Sequence, residues 1–412
     1  MVFAFVAKNC EYCSVKNTIM LMDVTHIKSA VYYVGVNDRT KHRFEGLWPL
    51  PCGVSYNSYL VVDEKIALID TVDASFTDVF LGSVSRVIGD RPIDFLVVNH
   101  MEPDHSASLG AVLNRYPELT VVGNRQTLKM IEGYFGAVRC LEVGESQTLS
   151  LGGRTLAFHL APMIHWPETM VTLDVEDKVL FTGDIFGTFG TLDGGITDSQ
   201  LDFERYRDEM RRYYSNIVGK YGSAVQRSFP KIEALDFDTV CPAHGPVWQS
   251  RIGDVVEMYR DMSLYRAERG VVIAYGSMYG NNEQAAELLA RKLAGLGVKR
   301  IRMHNLSVSH VSYVLSDIFR FDTLVVGGPT YNGGLFPPVK ELLDEVGMRQ
   351  IPHRRFGVFG SYSWAGCAVK QICAFAERMK WELAAEPVEF AHAHTPEKTE
   401  KGLQALAEQL AR

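Results

Sequence analysis

Short apolar runs of strand length punctuate the first part of the chain, at 56–62, 66–70, 95–99, 155–160, 170–174 and 179–182, each bounded by Gly, Asp or Pro. Two segments, 107–115 and 204–221, instead repeat apolar residues at helical spacing, so the region from 31 to 244 reads as sheets flanked by helices. Tyr59-Leu60-Val61-Val62 followed by Lys65-Ile66-Ala67-Leu68-Ile69 predicts a hairpin, and therefore antiparallel sheet. After residue 270 the rhythm changes. Buried-type strands at 271–275, 300–304, 323–326, 356–360 and 388–390 alternate with helical segments, which predicts a doubly wound parallel sheet. Between the two regions, 249–270 carries Met258, Tyr259, Met262 and Leu264 and predicts a helical connector. No internal repeat is found.

Length agrees with this division, because 412 residues exceed what one ordinary hydrophobic core encloses. The expected organisation is an N-terminal extension at 1–22, a first domain at 23–248, the connector at 249–269 and a second domain at 270–412. A composition of 47% hydrophobic and 22% charged residues suits folded domains, and the net charge of -7 argues against nucleic acid as the main partner. The apolar runs fall short of a membrane span. Residues 1–7 are apolar, but Lys8, Asn9 and Glu11 make a poor secretory signal, so the cytoplasm is expected. The odd count of 7 cysteines suits reduced thiols. Cys10 and Cys13 form a lone CxxC with no second pair to complete a metal site.

The candidate chemistry gathers at strand ends. His100, Glu102, Asp104 and His105 follow directly on the apolar run Phe95-Leu96-Val97-Val98. An extended or turning segment lets His100 and Glu102 point one way while Asp104 and His105 point another, as two adjacent metals require. Alone, the cluster would also suit surface residues before a helix, with Asp104 or Ser106 as its cap. His165, Asp184 and His244 each end a further strand-like run, and four sites in one topological position point to a dinuclear metal centre. The glycines Gly183, Gly187 and Gly190 either let backbone pack near the metals or serve tight turns.

This pattern resembles the metallo-β-lactamase superfamily, whose loop usually reads His-x-His-x-Asp-His, followed by a distant His, a bridging Asp and a last His. Here Glu102 stands for the second histidine, and its hard oxygen moves the site from zinc toward iron. The His-x-Glu-x-Asp-His form, Trp166-Pro167-Glu168 and Gly183-Asp184-Ile185-Phe186-Gly187 resemble the flavodiiron protein family over nearly the whole chain. The resemblance implies an αββα metallo-β-lactamase-like sandwich followed by a flavodoxin-like doubly wound parallel sheet. It also implies one iron on His100, Glu102 and His165, a second on Asp104, His105 and His244, and Asp184 as the bridge.

In the second region a buried strand at 271–275 leads through Gly276 into Ser277, Met278, Tyr279, Gly280, Asn281 and Asn282 and then a helix. Backbone N–H groups at that helix start, with the Ser and Asn side chains, suit a terminal phosphate without a lysine, and no Gly-Lys-Ser/Thr of a P-loop is present. Flavodoxins hold phosphate this way, although their loop usually ends in threonine where this chain has Asn282. Two more loops end later strands: Pro329, Thr330, Tyr331, Asn332, Gly333 and Gly334, then Ser361, Tyr362, Ser363, Trp364, Ala365 and Gly366. They resemble flavodoxin-like flavin loops, with Tyr331 or Trp364 placed to stack on the isoalloxazine. FMN is expected rather than FAD, because no second nucleotide-binding unit remains.

A two-electron carrier beside a two-iron site implies electron flow from FMN to the metals, reducing dioxygen to water or nitric oxide to nitrous oxide. The family further implies a head-to-tail homodimer, or a dimer of such dimers, and a separate donor such as a rubredoxin. Arg205, Arg211, Arg212 and Lys220 offer either a docking face for it or a solvated helix side. The competing functions are a dinuclear zinc hydrolase fused to a flavodoxin-like redox domain, which Glu102 opposes, and a non-catalytic FMN carrier or sensor, which the intact ligand set opposes.

Overall fold

The structure, a computed structural model, describes residues 25–392 and 397–412. The CxxC of Cys10 and Cys13, with the whole 1–22 extension, lies outside the described residues.

The first domain packs two sheets between helices. One has seven strands in the order Thr25–Lys28, Val31–Tyr33, Tyr59–Val62, Ile66–Ile69, Phe95–Val97, Thr120–Gly123 and Cys140–Glu142. The expected hairpin is present, Tyr59 opposing Ile69 and Val62 opposing Ile66, and parallel pairing begins where Ile66–Ile69 meets Phe95–Val97. The other sheet runs Thr148–Ser150, Thr155–Leu160, Met170–Asp174, Val179–Gly183 and Thr239–Pro242. Every residue of Ile66–Ile69, Met170–Asp174 and Val179–Gly183 is buried, because these strands are covered on both faces. That is why they read as continuous apolar runs rather than alternating ones.

The second domain is a parallel sheet in the order Ile301–Asn305, Glu268–Tyr275, Phe321–Tyr331, Arg355–Tyr362 and Val388–Ala391, the doubly wound order 2-1-3-4-5. Its switch point lies at the C-terminal end of Glu268–Tyr275, where the phosphate loop begins.

Two expectations are corrected. Segment 204–221 is not one helix. Phe203–Tyr213 passes into a π-helical turn, Tyr214–Val218, then a short 3-10 turn, Gly219–Tyr221, before Gly222–Glu233 resumes. Arg211 and Arg212 are also buried, so they present no docking face. The second domain closes over Arg212, whose guanidinium lies over Tyr313 at 4.9 Å and donates to Ser312 Oγ at 3.2 Å, while its own domain holds it through the Phe189 ring at 4.4 Å and the Pro49 carbonyl. From the same side Arg349 donates to the carbonyls of Ser215 at 2.6 Å and Asn216 at 3.1 Å, both in the π-helical turn. One continuous apolar core consequently runs through both domains, from Val31 to Trp381, while the outer face of the parallel sheet has its own cluster around Leu289 and Leu406.

Candidate metal centre and cofactor cleft

The strand Phe95–Val97 delivers His100 and Glu102 to the rim of the first sheet. Of the extended or turning segment that the ligand spacing allowed, the structure has a turn. Pro103 opens a single helical turn, Pro103–Ser106, with Glu102 preceding it at φ −56 and ψ 139. The change from extended to helical backbone at this point separates the Glu102 side chain from those of Asp104 and His105. The Ser106 hydroxyl pins the turn by donating to the carbonyls of Met101 and Glu102. The second sheet supplies His165 after Thr155–Leu160, Asp184 after Val179–Gly183 and His244 after Thr239–Pro242. Gly183 takes φ +55, a left-handed turn that brings Asp184 inward, and a side chain on Gly187 would press on the Asp184 carbonyl at 3.0 Å.

All seven side chains predicted as ligands meet in one buried cluster. The Asp184 carboxylate lies at its centre. Its Oδ2 is 3.3 Å from His100 Nε2 and 3.1 Å from His165 Nε2, while its Oδ1 is 3.0 Å from His105 Nε2 and 3.6 Å from His244 Nε2. Glu102 completes the first group, 3.1 Å from His165 Nε2 and 3.5 Å from His100 Nε2. Asp104 completes the second, 3.4 Å from His105 Nε2 and 3.3 Å from His244 Nε2. Ligand atoms about 2.1 Å from a common ion stand roughly 3.0–3.4 Å apart, so each group has the spacing of a coordination sphere.

The electrostatics match. Burial opposes charge on every member, yet the Asp184 carboxylate and its neighbours raise His100 well above the ordinary histidine range, and hydrogen bonds and charge from Asp184, Glu102 and Asp104 raise His105 and His165 to about 9. Conversely, despite burial, the facing imidazoles hold Asp184 well below the usual carboxylate range and Glu102 at about 2. The cluster therefore demands positive charge. Several of its atoms, namely His100 Nε2, both Asp104 oxygens, Asp184 Oδ2 and His244 Nε2, are buried without a hydrogen-bond partner, which a pair of cations would satisfy. Imidazole and carboxylate donors in this ratio suit iron.

Sequence reasoning missed the groups that aim these ligands. Glu168, 1% exposed, accepts from His100 Nδ1 at 2.8 Å and from the Met101 amide at 2.9 Å, leaving His100 Nε2 facing the centre. The Ser55 carbonyl does the same for His244 Nδ1 at 2.7 Å. Glu168 was signalled by the Trp-Pro-Glu run after His165. A backbone acceptor such as Ser55 leaves no sequence signal.

In the second domain, Ser277, Met278, Tyr279, Asn281 and Asn282 line one cleft with Pro329, Thr330, Ser361, Tyr362 and Ser363. Gly280, at φ +90, starts the helix Asn281–Gly295, and its amide donates to Ser277 Oγ. Asn282 donates to Ser361 Oγ at 2.9 Å and keeps a buried, unpartnered Oδ1, so the amide that replaces threonine ties the first loop to the third. Thr330 Oγ1 ties the second loop to the third by accepting from the Cys367 and Ala368 amides. The other predicted residues do not line this cleft. Tyr331 to Gly334 form a tight hairpin with Asn332 at φ 48 and Gly333 at φ 70, and Trp364, Ala365 and Gly366 continue the third loop. Trp364 is 92% exposed and Tyr331 40%, so both rings are free to stack on a planar ligand. His392, which sequence reasoning did not select, also lines the cleft.

A bimetallic cluster at the strand ends of an αββα sandwich, joined to a nucleotide cleft at the switch point of a flavodoxin-type sheet, defines a metalloflavoprotein. Known proteins make the class more specific. Residues 54–245 match the ODP family of beta lactamases and residues 273–405 match flavodoxin. A nitric oxide reductase of Moorella thermoacetica is 31% identical, over 88% of this chain and 91% of its own. A rubredoxin-oxygen oxidoreductase of Megalodesulfovibrio gigas is 30% identical, over 95% of this chain and 98% of its own. The solved structure of rubredoxin oxygen:oxidoreductase from Desulfovibrio gigas superposes with a TM-score of 0.90 at 29% identity, covering 94% of this chain and 98% of that one. The chain belongs to the flavodiiron protein family. Its flavodoxin domain indicates FMN, and the two ligand groups fit a diiron centre.

Proposed function

We propose that this protein is a flavodiiron oxidoreductase that reduces dioxygen to water, nitric oxide to nitrous oxide, or both, at the Asp184-centred site with electrons arriving through FMN. The observation that carries the reading is the placement of the two Asp184 oxygens, one toward each ligand group. When bound, two irons and reduced FMN supply up to four electrons, which suffice for dioxygen with four protons to give two waters, or for two nitric oxides with two protons to give nitrous oxide and water.

The chain's own residues set the conditions. Glu168 and the Ser55 carbonyl fix the His100 and His244 tautomers, so that each presents Nε2. Glu102 and Asp104 would contribute the negative charge that holds one metal in each ligand group. A cavity of about 180 Å³ reaches Glu102 and Asp104, large enough for a diatomic molecule and its reduction products. On the other domain, the three tied loops and the exposed rings of Trp364 and Tyr331 receive the flavin.

The names of the relatives support a rubredoxin as donor, and dioxygen and nitric oxide as substrates. We place the site of action in the cytoplasm, consistent with the free thiols among the described residues, where no helix is long and apolar enough to cross a membrane. A head-to-tail homodimer, alone or paired into a dimer of dimers, remains the proposed assembly, since it would let one chain's FMN face the other's irons.

The test is metal analysis with steady-state turnover. The wild type should hold two irons per chain and consume at least one of the two gases when supplied with reductant under anaerobic handling. Asp184→Ala should lose iron and turnover yet keep its FMN, because the flavin cleft lies on the other domain. Zinc in place of iron, or full turnover by the variant, refutes the reading.

A further inference from the structure

The cavity above the metal ligands contains a group with no role in the account so far. Lining it are Glu102 and Asp104, Glu45, the 3.1 Å ion pair of Lys41 with Asp73, and Tyr56. Tyr56 ends the strand Val54–Tyr56 and is fully buried, yet its hydroxyl has no hydrogen-bond partner in the protein. A buried hydroxyl left unpaired carries a desolvation penalty, which a hydrogen-bond acceptor in the adjoining cavity would relieve. Its ring is held between His244, at 6.0 Å and 65°, and Phe76, at 6.3 Å, which leaves the side chain little freedom to seek another acceptor. A phenol carries its proton at neutral pH and can donate it to a hydrogen bond. It is a fixed donor beside the metal-facing carboxylates. Tyr214 provides the contrast: equally buried and equally unpartnered, it packs on Tyr259 and Phe319 instead of the ligands.

We propose that Tyr56 donates a hydrogen bond to the small anion or polar diatomic molecule that occupies this cavity over Glu102 and Asp104. The hydroxyl would orient that molecule and stabilise negative charge as it develops on the atom facing the cavity. This rests on the diiron reading above.

Azide serves as the probe, titrated into the iron-loaded, oxidised holoprotein and followed by its charge-transfer absorbance and its antisymmetric stretching band. Tyr56→Phe, which removes only the hydroxyl, should raise the azide dissociation constant about tenfold and shift the stretching band, at wild-type iron and FMN content. Tyr214→Phe should change neither. A purely structural role for Tyr56 would leave the band where it is. Unchanged affinity and an unshifted band in Tyr56→Phe overturn the proposal, as does an iron-loaded wild type that binds no azide. A wild type without iron brings down the diiron reading itself, and the iron assay made before titration tells that failure from the other two.

Discussion

Removing the Glu168 carboxylate should weaken iron binding without touching the first coordination sphere. Glu168 accepts two hydrogen bonds through one oxygen, from His100 Nδ1 at 2.8 Å and from the Met101 amide at 2.9 Å, in full burial. Burial alone would raise its pKa, but these bonds and the His100 charge hold it below the ordinary glutamate range. A charge-assisted bond contributes about 1.5–3 kcal/mol and a neutral one about 0.5–1.5 kcal/mol. Glu168→Gln keeps an acceptor oxygen and should therefore lose about 1–1.5 kcal/mol, roughly tenfold in iron affinity. Glu168→Ala strands both donors and frees the His100 ring to rotate, which should cost about 2–5 kcal/mol of stability and up to about a hundredfold in affinity. Competition with a chelator of known strength measures the affinity, denaturant unfolding measures the stability, and the flavin absorbance serves as an internal control. The reasoning fails if both variants hold iron as tightly as the wild type, or if FMN is lost in step with iron.

The metal-free protein should show a stability optimum in mildly acidic solution. His105 and His165 have folded pKa values of about 9 against 6.5, so their contribution is complete below pH 6.5 and lost as pH rises through about 9. Glu102, at about 2 against 4.5, contributes above pH 4.5 and loses its share as pH falls through about 2. Thermal unfolding of chelator-treated protein should accordingly be favoured least between pH 4.5 and 6.5 as far as this cluster decides it, whereas iron affinity should fall on acidification as protons compete for the same nitrogens. A cluster contribution that grows above about pH 9 contradicts these signs. At the seam, Arg349→Met leaves the Ser215 and Asn216 carbonyls and Glu345 without their partner. Urea unfolding should show a loss of about 3 kcal/mol with iron and FMN contents unchanged, and a loss under about 0.5 kcal/mol would mean water replaces the guanidinium freely.

Most ligand positions were legible because they follow strands that are wholly or largely buried and read as apolar runs ending in a polar residue, Thr155–Leu160 before His165, half of it buried, being the exception. Phe95-Leu96-Val97-Val98 before His100 and Val179-Leu180-Phe181-Thr182 before Asp184 are examples. The helical form of the turn Pro103–Ser106 was also written in the sequence, since proline favours the first helical position, but the ligand spacing was satisfied by any extended or turning segment. The bond from His100 to Glu168 joins residues 68 apart, and its partner is decided only when the two sheets pack. Arg211 and Arg212 misled for a related reason. Charged positions on a helix read as solvated, and nothing local announces that another domain will cover them. The loops of the flavin cleft were readable as strand-end Gly, Ser and Asn clusters, whereas His392 entered only through the course of the last strand.

The unbroken apolar core through both domains limits how this chain can be taken apart. Cutting within the helix Ile252–Ser263 would strip cover from Tyr214 and Phe319, and leave Arg212 without the Tyr313 ring and Arg349 without the Ser215 carbonyl. Because Tyr213, one residue before the π-helical turn, packs its ring 5.6 Å from that of His244, such a cut would also loosen the wall behind a metal ligand. A transplanted flavodoxin partner would therefore have to reproduce this seam before the wall of the metal pocket could keep its shape.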